Sequence, residues 1–429
     1  MQLKLILFII AFVLIFLLRL PMGPGMLAAC TVYVLASGTN MTVIANQVCT
    51  TYWSNYTIIA IPLFIFTANV MNNGKVSELL FKWCDTIFGR FRGGMAYVNC
   101  VISLIFAGMS GSAVADASGI GLMEMKEMRR QGYDEGFSAA LTGATATVGP
   151  VFPPSITMLM YASVTGASVG KLFIAGIVPG IMMCVSLMAY VFYYGHTHGL
   201  PIGVRYTLKQ FLRITVQAFP GLLCPMILLV SIYGGLCTPT EAGAIAGFYA
   251  LIVSLFIYRC LGWKELRDIF VNTAEMVGRI AITVGCASAI VYIAGKEKLP
   301  VYIGGWLLGV TANKYVFLIL INLIFLLMGM VFDTNTITLI FLPMVIGTVE
   351  ALGIDFIHFG VIFVVNMMLG LLTPPFGNLL FTTSAITTAP MSELIKKLVP
   401  MIAVLFACLL LLTYIPAIST LLPSMMMGS

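Results

Sequence analysis

The stretch that decides the fold is GMSGSAVADASGIG, which runs from Gly108 to Gly121. It holds four glycines, three serines and one carboxylate, Asp116, between apolar flanks that are each too short to cross a bilayer alone. An ionisable residue at membrane depth is costly and marks a functional site. Backbone that leaves the helix there must be buried in protein or line a wet cavity. The stretch therefore predicts a break between two short helices that exposes carbonyls and helix ends to an ion.

The composition predicts an all-α polytopic membrane protein. Of 429 residues, 60% are hydrophobic and only 9% are charged, and the mean hydropathy is +1.04. Soluble proteins carry about 25% charged residues, so this class is excluded. The net charge of +6 concerns membrane topology rather than nucleic acid, which is not an expected partner. The ten cysteines and three histidines show no metal-binding spacing, so no zinc site is predicted.

Apolar runs of sufficient length predict about ten membrane crossings. They are Leu3–Leu18, Met22–Leu35, Tyr56–Met71, Phe137–Ala162, Leu172–Tyr194, Ile214–Tyr233, Glu241–Ile257, Met276–Ile293, Phe359–Thr388 and Leu398–Ile418. Two further stretches, Ala96–Met128 and Tyr315–Val349, each have a Gly-rich or polar break near the middle and are predicted to be re-entrant helical hairpins. This topology places 17 of the 22 Lys and Arg residues, Arg279 among them, on the cytoplasmic side, as the positive-inside rule requires.

A basic amphipathic stretch, Gly74 to Gly94, precedes the first predicted hairpin. Its length and periodicity favour a helix that lies in the cytoplasmic interface over an ordinary connecting loop.

The chain contains an internal repeat with a constant offset of 221 positions. The landmarks that recur at this offset are Gly108-Met109 with Gly329-Met330, Pro153-Pro154 with Pro374-Pro375, Gly149 with Gly370, and Gly74-Lys75 with Gly295-Lys296. The predicted spans put the two hairpins on opposite sides of the membrane. Together these features predict an inverted-topology repeat with its binding site near the midplane of the membrane.

Each half of the repeat places a hairpin tip before a helix that is broken at a proline pair. The two breaks are TVGPVFPPS, from Thr147 to Ser155, and GLLTPPFGN, from Gly370 to Asn378. Proline frees backbone carbonyls, which together with hydroxyls can bind a hard cation, while helix N-termini suit an anion. A single proline pair would favour a simple kink. Two pairs at one offset, each near a tip, favour a site for sodium ions and a carboxylate.

Four segments in combination resemble the DctM-like large membrane subunit of tripartite ATP-independent periplasmic (TRAP) transporters. They are GMSGSAVADASGIG, GPVFPPS, TPTEAGAIAGFYA (Thr238 to Ala250) and LTPPFGNLLF (Leu372 to Phe381). The resemblance covers essentially the whole chain. It implies a sodium-driven elevator in the bacterial inner membrane, with Na⁺ as the coupling ion. It also implies a separate small membrane subunit of the DctQ type and a periplasmic binding protein of the DctP type.

The resemblance further implies which residues bind ion and substrate. The implied sodium ligands are Ser110, Ser112, Gly149, Phe152 and Pro153 in the first repeat, and Asp333, Gly370, Thr373 and Phe376 in the second. The implied residues at or behind the substrate are Asp116, Thr334, Asn335, Thr336 and Asn378. Asp116 could equally brace its tip. Lys296 is a further substrate candidate that could attract an anion or anchor its helix at the interface.

The same resemblance implies a division of the chain by role. The scaffold would comprise helices in residues 1–71 and, with connecting helices, in residues 169–294. The transport domain would comprise the first hairpin and broken helix, in residues 95–168, and the second, in residues 315–390. An interfacial arm helix in residues 72–94 and a second arm in residues 295–314 would precede these two parts, and residues 391–429 would form a C-terminal helix. The substrate would be an organic acid of the sialic acid or C4-dicarboxylate type, and overall similarity favours sialic acid.

Two alternative functions fit parts of the sequence. One is a sodium–carboxylate symporter of the same elevator class that works without a binding protein. The other is an intramembrane serine protease, because Gly108 to Gly111 matches the GxSG pattern. A serine nucleophile needs a base within hydrogen-bond reach, and no histidine falls within a predicted span. The sequence therefore predicts a transporter and not an enzyme.

Overall fold

The computed structural model describes residues 3–18, 20–54, 56–72 and 75–427, without the side chains of residues 16, 17, 54 and 107–110. The first half contains α1 (Leu3–Leu17), α2 (Met22–Ser37), α3 (Met41–Ser54), α4 (Ala60–Met71), α5 (Lys75–Phe88), α6 (Gly94–Ser110), α7 (Ala113–Ser118), α8 (Ile120–Arg130), α9 (Glu135–Ala146), α10 (Ile156–Thr165) and α11 (Val169–His198). The second half contains α12 (Leu208–Tyr233), α13 (Pro239–Ile252), α14 (Trp263–Lys296), α15 (Leu299–Val310), α16 (Lys314–Val331), α17 (Thr334–Thr336), α18 (Leu342–Ala351), α19 (Phe356–Leu372), α20 (Asn378–Ala385), α21 (Met391–Tyr414) and α22 (Ala417–Met427). A 3₁₀ turn at Tyr56–Ile59 precedes α4, and π-helical turns at Val253–Ile257 and Ile337–Phe341 follow α13 and α17.

The all-helical prediction is confirmed, but the number of spans differs. Among the described residues, seven helices are long and apolar enough to cross a membrane, or eight if the bent pair Met41–Trp53 and Tyr56–Met71 forms one span. Several predicted spans correspond to helices of only 10–17 residues, including α1 and α2. The count of ten therefore assigned a full span to segments that the structure builds as shorter helices. The re-entrant character of the two hairpins stays a prediction.

Two predicted segments, the amphipathic arm and the span Met276–Ile293, correspond to helices with different ends. The amphipathic stretch is helical as α5, which ends at Phe88 rather than at Gly94. The predicted span Met276–Ile293 lies inside α14, which is one continuous helix of 34 residues and begins well before Met276. Its start is capped by Glu265, which accepts a hydrogen bond from the Gly262 N–H at 2.9 Å, so the charged segment before Met276 extends the same helix.

This continuous helix contains Arg279, which the charge count placed on the cytoplasmic side. Arg279 lies 16 residues after Trp263 and 17 before Lys296. At 1.5 Å per residue, it is roughly 25 Å from either end of α14. Arg279 therefore lies near the middle of a helix, and its side of the membrane stays a prediction.

The order of helices repeats as the sequence does. The run α5, α6, α8, α9, α10, α11 in the first half has the same order as α15, α16, α18, α19, α20, α21 in the second. The turn between α9 and α10 contains Pro153-Pro154, the turn between α19 and α20 contains Pro374-Pro375, and each pair is joined by a cis peptide bond. Both predicted helix breaks are therefore present at the proline pairs.

Buried polar contacts join the first helix of each hairpin to the following broken helix. In the first repeat, Asn99 on α6 donates to Thr142 at 2.8 Å and accepts from Thr145 at 2.6 Å, both on α9. In the second repeat, Asn366 on α19 donates to the side-chain oxygen of Asn322 on α16 at 2.9 Å. Buried polar groups are costly unless they are hydrogen-bonded, so these contacts fix how each helix pair is aligned.

The two broken helices are also joined to each other. The Tyr161 hydroxyl on α10 donates to the carbonyl of Phe356 at the start of α19, at 2.7 Å. At the other end, Glu135 on α9 accepts from the backbone N–H of Thr388 at 3.1 Å and pairs with Arg129 at 2.5 Å. The Thr388 hydrogen bonds, followed by Arg129, hold the pKa of Glu135 below its usual range. The repeats therefore form one packed unit rather than two separate ones.

The polar contact in the first repeat gives a stability prediction. Asn99→Ala should lower the thermal unfolding midpoint of the purified protein, because it leaves the Thr142 hydroxyl buried without its partner. A lost partner of this kind costs about 1–3 kcal/mol. The control is Gln131→Ala, which removes a hydrogen bond to Glu127 near the surface. Equal midpoints for Asn99→Ala and the control would contradict the assignment.

Candidate ion and substrate site

One cleft of about 380 Å³ brings together the segments that the sequence singled out. Its lining residues are Gly111, Ser112, Ala113, Val114, Pro150, Ile156, Thr157, Met276, Arg279, Ile280, Asp333, Thr334, Asn335, Met368, Leu371 and Asn378. We define the first tip as residues 111–118 and the second tip as residues 332–338, and both tips contribute to the lining. The others come from both broken helices and from α14. The cleft is therefore built by both repeats.

The first tip packs directly on the first proline break. Gly111 has a φ of +58°, and a Cβ at this position would lie 2.8 Å from the carbonyl oxygen of Pro154. Both the backbone conformation and the close approach require glycine here. The next residue, Ser112, caps α7 by accepting a hydrogen bond from the Ala115 N–H at 3.4 Å. Ser110 ends α6, but its side chain lies outside the described part of the structure.

Asp116 faces the first broken helix. It is buried on α7, and a methyl group at Gly149 would overlap its Oδ2 atom. Neither residue lines the cleft. Phe152 and Pro153 are also absent from the cleft wall, and Phe152 instead packs against Gly180 on α11. The structure thus gathers Asp116, Gly149 and the proline turn behind the first tip.

The second tip presents polar atoms to the cleft. Asp333 caps α17 by accepting hydrogen bonds from the Thr336 N–H, at 3.1 Å, and from the Thr336 hydroxyl. Asp333, Thr334 and Asn335 line the cleft, whereas Thr336 is fully buried behind them. The Thr334 hydroxyl is buried and has no hydrogen-bond partner among the described residues. A buried polar atom without a partner is uncommon and marks a position suited to a ligand.

The second break is more open than the first. A Cβ at Gly370 would lie 2.7 Å from the Cα of Gly329, so α16 and α19 touch through backbone at this point. The Thr373 hydroxyl donates to the Leu369 carbonyl at 2.6 Å, which closes the end of α19. Phe376 is 62% exposed, whereas the first break is almost entirely buried. Asn378, the first residue of α20, lines the cleft.

Each tip also packs against a half-helix of the other repeat. The first tip, through α7, contacts both α9 and α20, the half-helix after the second break. The second tip, through α17 and the π-helical turn, contacts α10, the half-helix after the first break. Neither repeat could move away from the other without opening the cleft wall.

Lys296 belongs to a different cluster. Its Nζ donates to the Thr39 hydroxyl at 3.0 Å and lies 5.9 Å from the centre of the Tyr33 ring. The neighbouring Glu297 accepts from Lys4 at 2.6 Å and from the Tyr33 hydroxyl at 2.5 Å. The Lys4 contact, followed by that of Tyr33, lowers the pKa of Glu297. This cluster lies at the end of α14, roughly 25 Å along the helix from Arg279.

Arg279 is the cleft residue that the sequence analysis missed as a site residue. Its side chain is 83% exposed and its nearest carboxylate, Glu275, is 3.9 Å away. A guanidinium group binds a carboxylate through two parallel hydrogen bonds, so its position suits an anionic ligand. The signal that could have found it is the uninterrupted helical pattern around it, which contains no proline between Trp263 and Lys296.

Comparison with known proteins identifies the family. A family model described as "Tripartite ATP-independent periplasmic transporter, DctM component" matches residues 8–418. The chain belongs to the DctM family. The predicted resemblance is thereby confirmed, and this permease is a multi-pass membrane protein.

Several related proteins support this family assignment. The chain is 33% identical to the sialic acid TRAP transporter large permease SiaM of Vibrio cholerae, covering 87% of this chain and 88% of the relative. It is 35% identical to the C4-dicarboxylate permease DctM of Pseudomonas aeruginosa, covering 86% and 87%. It is also 35% identical to the isethionate permease DctMQ of Oleidesulfovibrio alaskensis, covering 95% of this chain and 64% of the relative. These relatives are transporter permeases, which confirms the prediction that the protein is not an enzyme.

A solved structure supports the fold. The YdaH transporter of Alcanivorax borkumensis superimposes with a TM-score of 0.57 at 14% identity, covering 87% of this chain and 86% of that one. At this identity, the likeness concerns the fold alone.

The contact behind the first tip gives a prediction for transport. Gly149→Ala should lower uptake about tenfold or more, because its methyl group displaces the Asp116 carboxylate and sites tolerate shifts of only about 0.5 Å. The matched control is Gly347→Ala on α18, where a Cβ meets nothing within 4 Å. Both variants would be compared for uptake into proteoliposomes at equal amounts of folded protein. Wild-type uptake by Gly149→Ala would contradict the role given to this contact.

Proposed function

We propose that this permease takes up an organic acid across the bacterial inner membrane together with sodium ions. The observation that carries the proposal is the single cleft in which oxygen-rich tips of both repeats meet an arginine. Sialic acid, C4-dicarboxylates and isethionate, which the names of the relatives mention, are all small organic anions. The sialic acid type is the first to be tested.

The substrate carboxylate would bind Arg279 from α14. Asn335 and Asn378, which line the same cleft, would supply amide groups, and Thr334 would supply a buried hydroxyl. A cation facing neutral hydrogen-bonding groups holds an anion in one orientation while leaving room for different acids. The cleft volume lies within the usual range for small-molecule sites.

Sodium ions would bind beside each tip. In the first repeat, the hydroxyl of Ser112 and carbonyls at the proline turn supply neutral oxygens. In the second repeat, Asp333 and the carbonyls near Thr373 supply a negative charge and further oxygens. Because Asp333 lines the same cleft as the substrate, a bound cation would offset its repulsion of the anion. This coupling makes sodium a condition for tight substrate binding, with at least two ions per substrate.

Movement of the site would follow an elevator-type slide of one body against another. The interlocked tips and broken helices would form the moving body. The resemblance assigned α11 to the scaffold and connecting helices, but we propose that it moves with the tips because it packs on α6, α19, α21 and α22. The helices α2, α3, α4, α12 and α13 would form the fixed scaffold, with α14 at the boundary. Because the ion ligands of both tips belong to the moving body, a rigid slide preserves the ion sites while they cross the membrane, whereas the substrate contact with Arg279 on α14 would be made in the present arrangement.

Two partners complete the proposed transporter. A periplasmic binding protein would deliver the substrate, and a small membrane subunit would enlarge the scaffold. The scaffold helix α12 leaves Val216, Phe219 and Val230 more than half exposed, which gives such a subunit an apolar surface to cover.

The experiment is uptake of labelled acids into proteoliposomes that hold both membrane subunits. Uptake should require sodium outside and the binding protein, and it should stop when potassium replaces sodium. Uptake that persists unchanged without sodium would contradict the coupling. Uptake without a binding protein would instead support the self-sufficient symporter.

Paired variants test the ion ligands. Asp333→Asn should raise the sodium concentration needed for half-maximal uptake at least about tenfold, because it keeps the helix cap but removes the ligand charge. Its control is Asp355→Asn, since Asp355 caps α19 in the same way outside the cleft. Likewise, Ser112→Ala should weaken sodium dependence, whereas Ser118→Ala, on the same short helix but outside the cleft lining, should not. Equal sodium dependence within both pairs would refute the assignment.

A separate pair tests the anion contact. Arg279→Gln should raise the KM for substrate roughly 10- to 100-fold, as expected for loss of a charge-assisted hydrogen bond. The control is Arg267→Gln, since Arg267 is exposed on the same helix and does not line the cleft. A KM for Arg279→Gln that matches the control would show that the arginine does not bind the substrate.

A further inference from the structure

A second cleft lies apart from the transport site, between the arm helix α5 and the end of α11. It measures about 400 Å³ and is lined by Phe88, Phe91, Arg92, Tyr97, Met188, Phe192 and His196. None of these residues lines the cleft between the tips. Four of the seven are Phe or Tyr, and Phe91 and Phe192 are 45% and 59% exposed. The cleft is thus apolar along its walls and open at its rim.

The shape of this cleft is set by backbone contacts. Arg92 forms an isolated β-bridge with Ile202, and the Gly93 N–H donates to the Pro201 carbonyl at 2.8 Å. These contacts join the turn before α6 to the segment after α11. The side chains from Met188 to His196 then run along two turns of α11, roughly 12 Å at 1.5 Å per residue. The result is an elongated aromatic groove with its polar end at the joined loops.

The polar end of the groove is cationic. Arg90 and Arg92 are exposed, and no carboxylate lies within 4 Å of either among the described residues. The chain contains no Asp or Glu from Thr86 to Ala115, or from Gly136 to Thr240, and Asp85, which lies beside Gly89, accepts a hydrogen bond from the Tyr206 hydroxyl at 2.7 Å. Arg90 also lies 4.9 Å from the centre of the Phe91 ring, which holds its charge beside the opening.

We propose that this groove binds an anionic phospholipid of the cytoplasmic leaflet. An acyl chain would lie along Met188, Phe192 and Tyr97, and the phosphate would meet Arg90 and Arg92. Basic residues clustered at the membrane surface attract anionic lipid headgroups, and aromatic side chains are favoured at that depth. The excess of Lys and Arg at this end of the helices marks it as the cytoplasmic side.

Such a lipid would link two parts of the protein. Phe88 belongs to the arm helix, whereas Phe192 belongs to α11, which packs with the helices of the transport site. A molecule held between them would stabilise their present arrangement. Anionic lipid should therefore raise the thermal stability of the protein more than a neutral lipid of the same chain length.

The test uses the purified full chain, with any membrane subunit that co-purifies, titrated with phosphatidylglycerol or phosphatidylcholine of identical acyl chains. We expect phosphatidylglycerol to raise the unfolding midpoint more and native mass spectrometry to show its retention. Arg90→Gln with Arg92→Gln should weaken this binding roughly fivefold per arginine. The control pair Lys264→Gln with Arg267→Gln, exposed at the start of α14, should leave it unchanged.

Two further measurements separate the contribution of the phosphate from that of the acyl chain. Glycerol phosphate alone should not raise the midpoint, because it lacks the chain that fills the groove. Phe192→Ser should weaken phosphatidylglycerol binding while keeping both arginines. Equal effects of the two lipids, a full effect of glycerol phosphate, or wild-type binding by the arginine variant would overturn the proposal. So would occupation of the groove by a protein subunit in the purified complex.

Discussion

The structure depends on satisfying backbone polar groups where helices end at membrane depth. Lipid cannot replace the lost hydrogen bonds there, so each broken helix must be buried in protein or line a wet cavity. Gly111 shows how this is done, because only glycine lets the first tip approach the carbonyl of Pro154 so closely. Gly329 and Gly370 achieve the same in the second repeat through direct backbone contact. Glycine and proline thus act together, because proline frees the carbonyls and glycine lets neighbouring backbone cover them.

The crosswise packing of tips and half-helices turns two repeats into one site. Each tip contacts a half-helix from the other repeat, and Tyr161 and Glu135 join the broken helices at opposite ends. An ion bound at either tip would therefore lie close to residues of both repeats. For the proposed transport cycle, this means that the two tips and their ions travel together past α14. Arg279, on α14 at the boundary, is the one charged residue of the cleft wall that is not carried by a tip.

Much of this arrangement could be predicted from the sequence because the repeat preserves its spacing. The offset of 221 positions located the tips and the proline breaks, and the structure places Ser112, Asp333 and Asn378 at one cleft. Arg279 fell within the predicted span Met276–Ile293, but its place in the cleft wall could not be predicted, because spacing does not tell which neighbours a residue in the middle of a helix meets. The pairing of Asn99 with Thr142 was also missed, since polar residues on apolar helices give no signal of which partner they meet. Sequence spacing therefore predicts local breaks well and long-range contacts poorly.

The most direct test of the account compares two cysteine cross-links in a chain stripped of its native cysteines. Gly143→Cys with Thr383→Cys joins the two repeats where a Cβ at position 143 would lie 3.0 Å from the Thr383 methyl group. Val114→Cys with Ile280→Cys joins the first tip to α14 across the cleft, by a short bifunctional reagent. Tips that travel together past α14 predict that the first cross-link leaves sodium-driven uptake intact, whereas the second, made with a bifunctional methanethiosulfonate, stops uptake until its disulfides are reduced. Uptake that is abolished by the first link, or that continues under the second, would contradict the account.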